Sequence, residues 1–318
     1  MTKIELHDKA SGDRALIAPE RGFNCYSFTP VIDGQPHELL WAVEGFERGE
    51  GRPSGSGIPL LFPFAGRIRG TSFEWFGETY ELPPGDALGN AIHGFVIDRP
   101  WKVLEQSATK AVAEFQASRE APDLQPHWPC DYRIRVSYEL RASHVLASLI
   151  HIENPGAEPL PFWFGTHPYF RVPLAAGGSA DACVVDVPAA EYWELREMLP
   201  TGKRLPADGD RRLAGGLPFA RTKLDDVFTG LASRDGRVAT SIVDPQSQLQ
   251  LTMEFSAEYF RECVVYNPPH REAICIEPYT AAPDAFTLED RHIESGLLAI
   301  APGESITLAI DIGLRSTR

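Results

Sequence analysis

Apolar and polar residues alternate one by one along much of this chain. In 132–140, Tyr132, Ile134, Val136, Tyr138 and Leu140 fall on one side, and Arg133, Arg135, Ser137 and Glu139 on the other. The stretch 249–255 sets Leu249, Leu251, Met253 and Phe255 against Gln250, Thr252 and Glu254. The stretch 306–312 sets Ile306, Leu308, Ile310 and Ile312 against Thr307, Ala309 and Asp311. A period of two sends successive side chains to opposite faces of an extended backbone, so these segments read as half-buried strands. No stretch keeps a helical period beyond a couple of turns. Turn residues divide the runs: Phe76-Gly77-Glu78 within a hairpin over 73–82, Arg141-Ala142-Ser143 between 132–140 and 145–152, and Asp244-Pro245 and Pro302-Gly303-Glu304 ahead of two more strands. The 27 glycines and 27 prolines suit a fold with many turns. The Gly/Ala-rich piece 174–182 and the charged piece 203–216 read as surface loops. The pattern predicts an all-β fold, a large antiparallel β-sandwich, with residues 1–318 forming one domain.

Charge narrows the partners. Thirty Lys and Arg against 44 Asp and Glu give a net charge of −14, with no basic block. Such a surface repels phosphate backbones and anionic head groups, which argues against nucleic acid and membranes and for a small-molecule ligand. The first residues, Met1 to Asp8, hold no apolar run of the signal-peptide kind, and no apolar stretch approaches the length of a bilayer span. Five cysteines are an odd number without CxxC spacing, and several lie in strand-like apolar runs, where free Cys is usually a small buried hydrophobe. A cytoplasmic location is the expectation.

Two segments break the half-buried rule. Residues 160–170 are apolar on both faces except for Thr166 and His167, and 273–279 is apolar on both faces except for Glu277. A strand apolar on both sides is covered twice or lines a cleft. A carboxylate there must be paired, hydrogen-bonded or neutralised, so Glu277 is either a satisfied structural group or one with a raised pKa suited to acid/base work. His167, between Thr166 and Pro168, is held extended by the proline. Its imidazole can give or take a proton near neutrality, or serve as a hydrogen-bonded core residue. His93 precedes Gly94, which permits a sharp backbone turn beside the ring. Arg67 follows the apolar Pro63-Phe64-Ala65-Gly66, and its planar fork suits adjacent hydroxyls or a carboxylate. Asp225 and Asp226 read first as turn chemistry ahead of a strand. Trp101, Phe95, Trp163, Phe164, Tyr169 and Phe170 surround these positions in sequence, as core or as a stacking surface. No dinucleotide fingerprint, phosphate loop, HExxH or GxSxG motif occurs, and no spacing argues for a metal site.

Five motifs in order complete the reading: Asn90-Ala91-Ile92-His93-Gly94-Phe95 running on to Pro100-Trp101, Thr166-His167-Pro168-Tyr169-Phe170, Leu224-Asp225-Asp226-Val227-Phe228, Cys275-Ile276-Glu277-Pro278, and Ala301-Pro302-Gly303-Glu304. With the Gly66-Arg67-Ile68 step, this series resembles the aldose 1-epimerases, or galactose mutarotases, over about residues 55–310. The resemblance implies a β-supersandwich, a sugar in an open cleft and no cofactor. It implies an isomerase in which Glu277 is the general base on the anomeric hydroxyl and His167 the general acid on the ring oxygen. His93, Asp225 and Arg67 would bind hydroxyls. Acid and base are expected on opposite sides of the sugar, each contributing about 10²–10⁴-fold. Relatives that act on hexose 6-phosphates resemble one another in a His-Gly-Phe-Ala-Arg stretch; here Ile97 stands at the arginine position, with Arg99 two residues on. An unphosphorylated aldohexose such as glucose or galactose is therefore the expected substrate. The alternatives are a hexose-6-phosphate 1-epimerase, a non-catalytic sugar binder, which would have no need of an acid/base pair, and a glycosidase or lyase accessory domain, for which Asp225 and Glu277 would formally supply two carboxylates. A monomer or homodimer is expected.

Overall fold

The computed structural model describes residues 3–318. Two large antiparallel sheets carry the architecture. The first has nine strands in the order Lys102–Gln106, Lys110–Gln116, Arg133–Arg141, Val145–Glu153, Ser305–Ser316, Leu249–Ser256, Arg237–Asp244, Val184–Asp186 and Leu217–Pro218. The second runs Leu199–Pro206, Ala189–Arg196, Asp225–Leu231, Glu262–Tyr266, Ala273–Tyr279, Gly165–Thr166 and Leu60–Leu61, with Tyr169–Arg171 added beside Ala273–Tyr279. The all-β, antiparallel expectation holds.

The alternation read from the sequence is the alternation of burial. Ile134, Val136, Tyr138 and Leu140 are buried while Arg133 to Glu139 on the other face are not, and Leu249 to Phe255 repeat the pattern. These inward faces meet the second sheet: Tyr138, Ile150, Ile310 and Ile312 border one small internal space together with Leu60, Phe164 and Thr166. A continuous apolar cluster extends from Ile4 to Leu314. The hairpin Ser72–Trp75 and Glu78–Glu81 turns at Phe76-Gly77, both with positive φ, as a tight two-residue turn requires. Residues 160–170 and 273–279 are buried throughout, and four of them, His167, Tyr169, Glu277 and Tyr279, border a cleft.

The charged piece 203–216 is only partly a loop. Its first four residues complete the strand Leu199–Pro206, which lies at a sheet edge, where one side has no neighbour and Lys203 and Arg204 stay exposed. Two short helices, Ala117–Glu120 and Ala285–Asp290, are too brief to leave a periodic signal. All five cysteines are free, and all except the half-buried Cys130 are buried. Among the described residues no helix is long and apolar enough to cross a membrane.

Candidate active site

Three neighbouring strands of the second sheet build the floor of a cleft. Register sets Asp225 opposite Tyr266 and Tyr266 opposite Cys275, and in the next row Val227 opposite Val264 and Val264 opposite Glu277. Side chains in register share a face, so Asp225, Tyr266 and Glu277 all point the same way. With Arg67, Asp86, His93, His167, Tyr169 and Tyr279 they line a cleft of about 600 Å³, a size suited to a small ligand. All five residues singled out in the sequence, Glu277, His167, His93, Asp225 and Arg67, border it.

Backbone constraints fix the two histidines. His167 donates its N–H to Pro59 O at 3.0 Å, and Tyr169 donates to Gly57 O at 2.9 Å, which pins the His-Pro-Tyr step against a neighbouring segment. The Tyr169 ring stacks on the imidazole at 4.8 Å and 8°. His93 has φ +65°, and the following Gly94 has φ +70°. A Cβ on Gly94 would sit 2.1 Å from Phe62 O, so glycine is required there. The ladder Arg67–Ile68 with Ala91–Ile92 pairs Arg67 with Ile92, next to His93. The His93 ring meets His167 edge-on, with centroids 5.8 Å apart.

Glu277 and His167 are in contact: Oε1 and Nε2 lie 3.2 Å apart, and the other carboxyl oxygen accepts the Tyr279 hydroxyl at 2.9 Å. The expected placement on opposite sides of a sugar gives way to a touching pair. Burial raises Glu277 well above the usual carboxylate range; the Tyr279 bond and Arg67 draw it back, while Asp225 adds to the rise. Burial also lowers His167 to about 4. Burial thus disfavours charge on both members of the pair. His93 is pushed well below its ordinary value by burial, then by His167 and Arg67, and so stays a neutral ring.

Arg67 Nε donates to Asp86 Oδ2 at 2.7 Å. Burial works to raise Asp86, but bonds from Asn90, Arg67 and Leu88 outweigh it and hold the carboxyl at about 2. Asp86 is a residue the sequence reading missed, since Pro84-Gly85-Asp86 looks like plain turn chemistry. Tyr279 and Tyr266 were missed too, as aromatic residues in core-like strands. The Asp pair does not form a turn, contrary to expectation. Asp225 and Asp226 begin the strand Asp225–Leu231, so they point oppositely: Asp225 into the cleft, Asp226 onto Arg211 Nε at 2.9 Å. Of the six aromatic residues named from the sequence, Tyr169 lines the cleft, whereas Trp163 and Phe164 are fully buried. Arg99 is drawn away to Asp123 at 2.8 Å and does not border the cleft.

One group of metal-type donors occurs among the described residues: His167, Cys275 and Glu277 bring ligand atoms within 4.8 Å of one another. Burial raises the Cys275 thiol well above its ordinary value, and Glu277 already accepts the Tyr279 hydroxyl.

Fold and side chains together place a buried carboxylate–histidine contact beside an open polar cleft in a β-sandwich. The chain belongs to the aldose 1-epimerase family: the model of that family matches residues 27–313. It is 30% identical over 290 residues to the uncharacterized protein YphB of Escherichia coli K12, covering 83% of this chain and 89% of that one. A galactose mutarotase-like protein from Clostridium acetobutylicum superimposes with a TM-score of 0.86 at 25% identity, covering 99% of each chain. A GalM/aldose epimerase homologue from C. elegans shares the fold with a TM-score of 0.83 at 16% identity, covering 100% of this chain and 99% of its own.

Proposed function

We propose that the protein is an aldose 1-epimerase that interconverts the α and β anomers of an unphosphorylated aldohexose such as glucose or galactose. The observation that carries the reading is the direct contact of Glu277 with His167 at 3.2 Å on the cleft wall. The anomeric hydroxyl and the ring oxygen are bonded to the same carbon, so a base for one and an acid for the other must lie close together. The touching pair meets that demand.

In the tautomer that places the proton on His167 rather than on Glu277, the carboxylate takes the proton of the anomeric hydroxyl while the protonated imidazole gives one to the ring oxygen. The C1–ring-oxygen bond breaks and the free aldehyde forms. Rotation about C1–C2 turns the other carbonyl face toward the ring-closing hydroxyl. Reclosure then runs with the roles exchanged, His167 taking back the proton and Glu277 returning one to the new anomeric oxygen. The enzyme ends as it began. Arg67, held by Asp86, together with Asp225 and neutral His93, would bind the hydroxyls and hold the reacting carbon at the pair.

The tie between Arg99 and Asp123 supports a free sugar. Arg52, exposed on the cleft rim with Ser54, favours hexose 6-phosphate as the second reading. Offering α-D-glucose, α-D-galactose, α-D-glucose 6-phosphate and an aryl glycoside separates the cases by product. Anomerisation of the free sugars with the glycoside intact is expected. Preference for the phosphate would move the substrate to the second reading, and cleavage of the glycoside would replace the reaction.

A further inference from the structure

Each oxygen of Glu277 faces a protein partner: Oε1 lies 3.2 Å from His167 Nε2, and Oε2 accepts the hydroxyl of Tyr279. Tyr279 stands two residues further along the same strand, so the two side chains face the same way. Its ring is 2% exposed and sits in a slot left by a glycine. A Cβ at Gly165 would lie 2.5 Å from the ring's Cδ1. Burial, then the charge of Glu277, pushes the phenol well above its ordinary value, so it remains a donor wherever the enzyme works. A fixed donor stabilises an ionised carboxylate over a protonated one.

We propose that Tyr279 is the positioning residue that steers the proton shared by Glu277 and His167 toward the histidine and so makes the carboxylate the base. The proposal rests on the reading of Glu277 as that base. The other groups around Glu277 do not supply this bond. Cys275, on the same strand, has a thiol raised by burial, and Asp225 from the Asp225–Leu231 strand disfavours a second negative charge. Arg67, from the Arg67–Ile68 strand, helps by its charge but has its Nε committed to Asp86. Tyr169 and Tyr266 lie against the His167 ring, and His93 is neutral.

The direction of the pH effect follows from the pair. With two protons Glu277 cannot accept one; with none His167 cannot donate. The form with one proton is active, bounded above by loss of the proton that burial holds on Glu277. Without its donor the carboxyl keeps that proton more tightly. Tyr279→Phe, which preserves the ring, should therefore move the alkaline limb of the kcat profile up by about one pH unit. It should lower the plateau about 10- to 100-fold and leave KM within about twofold. A merely structural role would not move the limb.

The test is the kcat profile of the full chain from pH 5 to 10 with α-D-galactose, read by NMR, with the Glu277 carboxyl carbon titrated in parallel. A second variant carries 3,5-difluorotyrosine at position 279, a stronger donor of nearly the same size, and should shift the limb the opposite way even if Tyr279→Phe fails to fold. Limbs and carboxyl titrations unchanged in the folded variants, with Glu277→Gln inactive, would overturn the role of Tyr279 alone. Full turnover by Glu277→Gln would instead remove the catalytic reading on which the proposal stands.

Discussion

Glu277 is not the only buried acid on its sheet. Glu262, 2% exposed, accepts the Trp193 indole N–H at 3.0 Å, and burial lifts it to about 8 against the pull of Trp193 and Thr229. In the unfolded chain a glutamate ionises near 4.5. Between these values the unfolded state has released a proton that the folded state keeps, so stability falls as pH rises through the window and levels off above it. Glu262→Gln keeps an acceptor for Trp193 and removes the titration. It should reduce the loss of stability between pH 5 and 8 by on the order of a few kcal/mol, seen as urea midpoints that differ less between the two pH values than in wild type. An unchanged difference would place the pH sensitivity elsewhere. At the cleft, Arg67→Ala frees the Asp86 carboxylate as well as removing a donor. KM should rise about tenfold and kcat fall in initial-rate measurements; if both stayed at wild-type values, Arg67 would not touch the sugar.

Strands and their connections decide which residues meet. Asp225 faces the same cleft as Glu277 because three strands run in register, and His93 reaches the cleft because the Arg67–Ile68 ladder and the left-handed turn at 93–94 carry it there. Gly94→Ala would drive a methyl into Phe62 O and displace the His93 loop. It should cost about 1–3 kcal/mol and lower kcat/KM, read together from thermal unfolding and initial rates; a silent substitution would show that the loop adapts freely. This scale also marks where the sequence stops being legible. The runs 132–140, 249–255 and 306–312 show themselves because one face is wet and one dry. The strand Leu199–Pro206 hides at an edge, where Lys203 and Arg204 need no dry face. The Asp225-Asp226 pair imitates a turn because one carboxylate faces an open cleft and the other an arginine. Glu277 in its strand and His167 between two short strands stand out as polar residues in apolar segments, and the family resemblance implies their roles. Tyr279 and Asp86 carry no such contrast, since their importance lies in partners that only the fold supplies.

Across the whole molecule the last strand holds the first sheet together. Ser305–Ser316 pairs with Val145–Glu153 on one side and Leu249–Ser256 on the other, at the centre of nine strands. Ending the chain after Glu304 would leave two long apolar-faced strands with open edges, a template for aggregation. That truncation should yield insoluble protein without a cooperative unfolding transition by circular dichroism; a soluble, cooperatively unfolding product would contradict the architecture described here.

The central claim is that one carboxylate in contact with one histidine opens and closes a sugar ring. Its most direct measurement is the anomerisation of freshly dissolved α-D-glucose and α-D-galactose, followed by polarimetry or NMR beside a protein-free blank and the Glu277→Gln protein. The account predicts acceleration over the blank that vanishes in the variant, while sugar still binds to it. Acceleration surviving in Glu277→Gln, or none in wild type with either sugar, would contradict it.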